Sequence, residues 1–140
     1  MGSDVVILLD THSFFWLIGD DKSLGKAARQ AIQEASVQNA LYLSPISMWE
    51  IALKASRGRL QLDRPVRPWM RYALQLTRIQ LSPITAEVAC SCAELPPEFH
   101  GDPADRIIAA TARTEGLRLI THDKKLLGLA RQGFFQAIAT

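Results

Sequence analysis

The chain has little of what marks several common protein classes. Among its 140 residues there are two cysteines, Cys90 and Cys92, one residue apart. On a helix such side chains point to nearly opposite sides, so they neither close an easy disulfide nor grip one metal. They read as small apolar side chains, and a reducing cytoplasm is the expected setting. The longest early apolar run, Val5 to Leu9, lies between Asp4 and Asp10 with no basic segment before it. Neither a membrane span nor a secretory leader is expected from it. A glycine-rich phosphate loop and a Ser or Cys nucleophile motif are both missing. Strong net charge is missing too. Sixteen Lys+Arg against fourteen Asp+Glu leave +2, which disfavours a uniformly basic nucleic-acid glove and an acidic solvating chain alike.

What is present is the material of one folded unit. Hydrophobic residues make up 48% and charged residues 21%, so a core is available and disorder is excluded. This length suits a single domain spanning 1–140. Val5 to Leu9 is β-branched and continuously apolar, as in a strand buried on both faces. Ala40 to Ser44, Arg78 to Leu81, Leu117 to Thr121 and Phe134 to Ile138 are further strand candidates. Between them, Leu24, Ala27, Ala28, Ala31, Ile32 and Ala35 recur at helical spacing. Ser44-Pro45 opens a helix to Ala55, and Pro68 opens one with Trp69, Tyr72, Ala73 and Leu76 on one side. Ala86 to Leu95 forms another, ended by Pro96-Pro97. Asp102-Pro103 starts the next, which runs to Glu115 and closes at Gly116. Strands alternating with helices predict an α/β fold: a central parallel sheet of four to five strands with helices on both faces.

In such a sheet, ligands bind beyond the carboxyl ends of the strands. Asp10 ends the first strand. Glu50 lies in the second turn of the helix after the second. Asp105 lies in the first turn of the helix from Pro103, and Asp123 follows the fourth strand. Each acid has a plain alternative. Asp102 is a good helix cap, Ser47 with Glu50 matches a capping box if that helix starts late, Asp105 suits a helix N-terminus, and Asp123 can cap a helix from Lys124. Four carboxylates on one rim strain those alternatives, because like charges that close do not all stay ionised without a neutralising partner. A hard divalent cation with oxygen ligands, Mg2+ or Mn2+, is the usual solution, and metal in a carboxylate cage suggests phosphodiester chemistry.

At Leu9-Asp10-Thr11-His12, Ser44-x-x-Ser47-x-Trp49-Glu50-Ile51, Asp102-Pro103-Ala104-Asp105-Arg106-Ile107-Ile108-Ala109 and Thr121-His122-Asp123, the chain resembles the PIN-domain ribonucleases. It looks most like the VapC toxins of type II toxin–antitoxin pairs, from Val5 to about Phe135. The resemblance implies a Mg2+- or Mn2+-dependent endoribonuclease whose acidic quartet is Asp10, Glu50, Asp105 and Asp123. It makes Asp102 an auxiliary acid and places Thr11 and Thr121 where a hydroxyl lies near the metal. It also implies a homodimer and a cognate VapB-type antitoxin whose tail occludes the acidic site.

Two other readings compete. A catalytically silent RNA- or protein-binding member of the family is expected to have lost acids, and here the quartet is complete. A receiver-like signalling domain places paired acids after the first strand and an acceptor Asp after the third. Here Asp10 stands alone, and Ser82-Pro83-Ile84 carries no Asp.

The remaining features concern substrate. From Lys54 to Arg78 there are seven basic residues against the single acid Asp63. Such a stretch suits RNA backbone, with Lys54, Arg57 and Arg59 nearest the acids, although Pro65 and Pro68 divide the run. Lys124 and Lys125 after Asp123 offer either a phosphate contact or a solvated helix start, and the second is favoured. His12, His100 and His122 each lie within two positions of a proposed acid. An oxygen-dominated rim does not suit zinc, so they read chiefly as loop residues. Trp16, Trp49 and Trp69, with Phe14 and Phe15, can be read as base-stacking platforms, but helical spacing favours core or dimer-interface packing, with Trp49 behind the site.

Overall fold

The computed structural model describes residues 5–140; residues 1–4, including the flanking Asp4, lie outside the described residues. Five strands form one sheet: β1 (Ile7–Leu9), β2 (Leu41–Leu43), β3 (Gln80–Leu81), β4 (Arg118–Thr121) and β5 (Ala137–Ala139). Their order is β3-β2-β1-β4-β5, and every pairing is parallel. Seven helices cover it among the described residues: α1 (Thr11–Ile18), α2 (Lys26–Val37), α3 (Pro45–Ser56), α4 (Val66–Thr77), α5 (Ala86–Ala93), α6 (Pro103–Glu115) and α7 (Lys124–Arg131).

Side chains alternate across a strand, and β1 shows why its apolar run is continuous. Ile7 and Leu9 enter a core built with Phe14, Ala28, Ile32, Ile51, Trp69 and Ala73, from α1 to α4. Leu8 enters a second core with Ile108, Ala112, Leu126 and Leu129, from α6 and α7. Both faces of the sheet are therefore sealed by helices, as the alternating pattern predicts.

The topology also fixes where a site can form. From β1 the chain moves to β2 and β3 on one side, then crosses back through α5 and α6 to place β4 on the other side of β1. The carboxyl ends of β1 and β4 flank this switch in direction, which is where open parallel sheets hold their ligands. A helix leading into a parallel strand runs back along it, so the N-terminus of α6 comes to the same edge.

Several boundaries differ from the sequence expectation. β1 is confined to Ile7–Leu9, and Val5 and Val6 are half-buried before it. Arg78 leaves the third strand because it closes α4 in a left-handed conformation, φ 57°. Phe134 and Phe135 form the turn before β5, with Phe135 buried. Helix α1 was not delimited by the sequence pattern, because Thr11 to Ile18 carries too few polar residues to show one face. Helix α4 starts at Val66 rather than Pro68 and buries Trp69, Ala73 and Thr77. Tyr72 and Leu76, expected on that inner side, are exposed. Thr77 takes the inner position because its hydroxyl donates to the Ala73 carbonyl oxygen at 2.8 Å, leaving no unmet polar group there.

Candidate active site

Asp10 stands directly after β1 and caps α1. Its Oδ1 accepts from the Ser13 backbone N–H at 2.8 Å, and its Oδ2 accepts from the Thr121 hydroxyl at 2.5 Å. The carboxylate is 4% exposed, so these bonds replace most of its hydration. Thr121, the last residue of β4, also accepts from the Asp123 backbone N–H at 3.0 Å. One buried hydroxyl therefore ties Asp10 to the start of the loop that carries Asp123. Ser13 completes the link between α1 and β4, its hydroxyl donating to the Ile120 carbonyl at 3.2 Å.

Asp123 caps α7, its Oδ1 accepting from the backbone N–H groups of Lys125 and Leu126 at 2.8 and 3.1 Å. Asp102 caps α6 in the same way, accepting from Asp105 N–H at 2.8 Å. The capping alternatives for Asp102 and Asp123 are thus both present in the fold. They do not exhaust these side chains, since each leaves its second carboxylate oxygen outside the cap.

Glu50 projects from the second turn of α3 and accepts from the Thr11 hydroxyl at 2.5 Å. Thr11 Oγ1 also lies 2.9 Å from Ser47 Oγ. Thr11 has a single hydroxyl proton, and an ionised carboxylate only accepts, so the Ser47 hydroxyl supplies the proton of the second bond. The capping-box reading of Ser47 and Glu50 is corrected here. Helix α3 starts at Pro45, with the Ser44 hydroxyl accepting from Ile46 N–H, and Ser47 lies inside the helix. Ser47, one turn before Glu50 on the same face, is the residue the sequence reading misplaced; its i,i+3 spacing to Glu50 was the available signal.

Asp105 shows that these acids act on one another. Its carboxyl is pushed up to about 7, first by burial and then by the negative charges of Asp102, Asp123, Glu50 and Asp10. Three helix N-termini, those of α1, α6 and α7, point partial positive charge toward this rim. At about half a charge each they offset about one and a half of the five carboxylate charges. A negative surplus remains, and it makes Asp105 hold its proton more tightly. The donors are all oxygen, which suits a hard divalent cation. Among the described residues no three His, Cys, Asp or Glu side chains already form a closed cage for one. The set fits an ion that retains several waters and takes only one or two carboxylates directly.

Gly101, just before Asp102, is set by close packing. A Cβ there would meet Phe99 Cε2 at 2.6 Å and Asp105 Cβ at 3.1 Å. Phe99 is buried, so its ring has little room to yield.

Lys54, Arg57 and Arg59 come together around a cavity of about 230 Å³ that Glu50, Trp49 and Asp102 also line. The rest of the basic stretch disperses. Arg64 pairs with Asp63 and lies 4.1 Å over the Tyr72 ring, while Arg78 lines a separate groove with Ile32 and Leu76. Trp49 does not pack behind the site but is 55% exposed. Ser47 and Ile51 are the buried residues of α3, and Trp49, two positions from each, falls on the opposite side of the helix. Lys125 is not simply solvated, since its Nζ donates to the His100 carbonyl at 3.2 Å. Cys90 and Cys92 are free thiols.

Comparison with known proteins agrees with this arrangement. The PIN domain model matches residues 7–132. The chain is 39% identical over 120 residues to ribonuclease VapC22 of Mycobacterium tuberculosis, covering 86% of this chain and 88% of that protein. Its fold is similar to that in VapBC2 from Rickettsia felis bound to a promoter DNA fragment, with TM-score 0.69 and 16% identity over 95% of this chain and 97% of that one. A DNA-bound VapBC from Salmonella typhimurium gives TM-score 0.69 and 17% identity over 96% and 98%. The parallel sheet, the acids at its switch point and the match across almost the whole described chain lead to one conclusion: the chain belongs to the PIN-domain family.

Proposed function

We propose that this chain is a metal-dependent endoribonuclease, the toxin of a toxin–antitoxin pair. In this reading Asp10, Glu50, Asp105 and Asp123 hold Mg2+ or Mn2+, with Asp102 as an auxiliary acid. The observation that carries it is the shared electrostatic field at Asp105, to which four other carboxylates contribute from four separate segments. The kinship to a protein named as a ribonuclease supports the choice of RNA.

Such an ion, when bound, supplies a Lewis acid and a water of lowered pKa for phosphodiester hydrolysis. The chain's own part is positioning and charge. Thr121 and Ser13 hold Asp10 in one rotamer, and Thr11 with Ser47 does the same for Glu50. Asp105, neutral or charged near pH 7, adjusts the charge of the rim to its occupant. Lys54, Arg57 and Arg59, which line a cavity with Glu50, hold the RNA backbone by charge. A VapB-type antitoxin is a partner of this reading, supported by the likeness to chains from VapBC complexes, and a second copy of the chain is the other, as the family resemblance implies.

The test is cleavage of single-stranded RNA by the purified chain. Activity with Mg2+ or Mn2+, abolished by chelation and by Asp10→Asn in a variant with native circular dichroism, is the expected result. Undiminished cleavage by that variant overturns the assignment.

A further inference from the structure

Three rings beside the acids have no part in the chemistry described so far. His12 follows Thr11, and His122 separates Thr121 from Asp123, so both imidazoles spring from backbone that the acid rim fixes. Their ring centroids are 5.1 Å apart, with planes inclined at 81°. Trp16 lies one turn along α1 from His12 and comes within 5.9 Å of it and 4.8 Å of His122. Both imidazoles are exposed and Trp16 is half-buried. The side-chain hydrogen bonds of the rim run through Thr11, Thr121 and Asp123 and include neither imidazole. These rings differ from Trp69, which is 4% exposed and packed against Phe14 and Phe15 in the core.

We propose that His12, Trp16 and His122 form a platform on which one unpaired base of the RNA substrate stacks, next to the phosphodiester cleaved at the acids. This rests on the nuclease reading above and adds to it the demand for single-stranded RNA. The charge of the rim decides which part of the nucleotide the rings meet. Apart from the one phosphodiester that a bound cation would neutralise, a phosphate beside Asp10 and Asp123 is repelled, whereas a base is flat and uncharged and tolerates the carboxylates. The cations Lys54, Arg57 and Arg59, which suit phosphate, line a cavity with Glu50 and Asp102 in which none of the three rings takes part. Single-stranded bases are commonly recognised by stacking on His and Trp rings, and a base inside an A-form duplex has both faces already covered.

The test separates binding from cleavage by using the Asp10→Asn chain. Its affinity is measured by fluorescence anisotropy for a labelled oligouridylate of about ten nucleotides and for the same strand with abasic sugars throughout. The intact strand is expected to bind about tenfold more tightly, within the range that aromatic stacking of one base supplies. Adding His12→Ala and His122→Ala should reduce that preference to about twofold or less, with little change in Tm because both side chains are exposed. Restoring a ring with His122→Phe in place of His122→Ala should recover most of it. A base preference that survives the double substitution overturns the proposal. So does an equal loss of affinity for intact and abasic strands, which marks a structural or interface role, and so does absence of binding to either strand. If the unmodified chain shows no divalent-ion-dependent cleavage while the ring-dependent preference persists, the nuclease reading fails and the platform stands.

Discussion

The two sides of the acid rim are built differently. On the strand side, Asp10 and Asp123 are held in place by hydrogen bonds from Thr121, the Ser13 N–H and the N-terminus of α7. On the helix side, Asp105 is half-buried among like charges and is pushed toward the neutral form. One side is made rigid by its hydrogen bonds. The other is left able to change its charge. Metal sites need both properties, since a fixed anchor sets position while a soft neighbour limits the repulsion that an empty site suffers.

The comparison can be broken most directly at the anchor. Asp10→Asn keeps the cap to Ser13 but removes the charge, and RNA cleavage should fall at least about 100-fold, the scale on which a charged contact to a transition state is lost. Thr121→Val removes the hydroxyl that orients Asp10 and accepts from Asp123. A supporting bond of that kind is worth about 10- to 100-fold in activity or metal affinity, measured by steady-state cleavage and by calorimetry. Gly101→Ala tests the other side. The new methyl pushes on Phe99 and Asp105, so denaturant unfolding should show a loss of about 1–3 kcal/mol, and the response to metal should weaken with it.

The smallest expected effect has the opposite sign. The carboxyl of Asp105 titrates at about 7 in the folded chain, against an ordinary value of 3.8. The unfolded chain therefore gives up that proton first. The stability this group contributes is complete below about pH 4 and is lost as the pH rises through about 7. Without divalent ions, Asp105→Asn should abolish that decline and melt a few degrees above the unmodified chain at pH 8. Asp10→Asn removes only one of the charges that raise Asp105 and should show a smaller gain. Added Mg2+ should then raise the Tm of the unmodified chain more than that of Asp105→Asn. Equal melting behaviour of the two variants across pH 4–8 would remove the distinction between the sides.

Much of this site was legible before any coordinates, for a definite reason. Asp10, Asp102 and Asp123 occupy strand ends and helix starts, and such places are marked locally by Asp-Thr, Asp-Pro and Thr-His-Asp. A parallel sheet converts them into one edge without further information. What the sequence concealed depends on rotation about helix axes. Glu50 and Trp49 are neighbours in sequence but point in different directions, so proximity to an acid did not reveal that Trp49 is exposed. The choice of Tyr72 and Leu76 for a buried face failed because Thr77 satisfies its own hydroxyl and takes the inward position. The contact of His12, Trp16 and His122 joins α1 to the loop after β4, and no local pattern announces a meeting between segments so far apart.

The bond from Thr121 to Asp10 spans 111 positions of the chain. The residues around Asp10 precede, by most of the domain, the strand that must lie beside β1. Until β4 inserts, Asp10 lacks its orienting hydroxyl and Asp123 has no fixed place. The acid rim therefore forms only when β4 lies beside β1. If the chain is the RNase toxin proposed above, a fragment that stops short of β4 lacks Thr121 and Asp123 and should not cleave RNA.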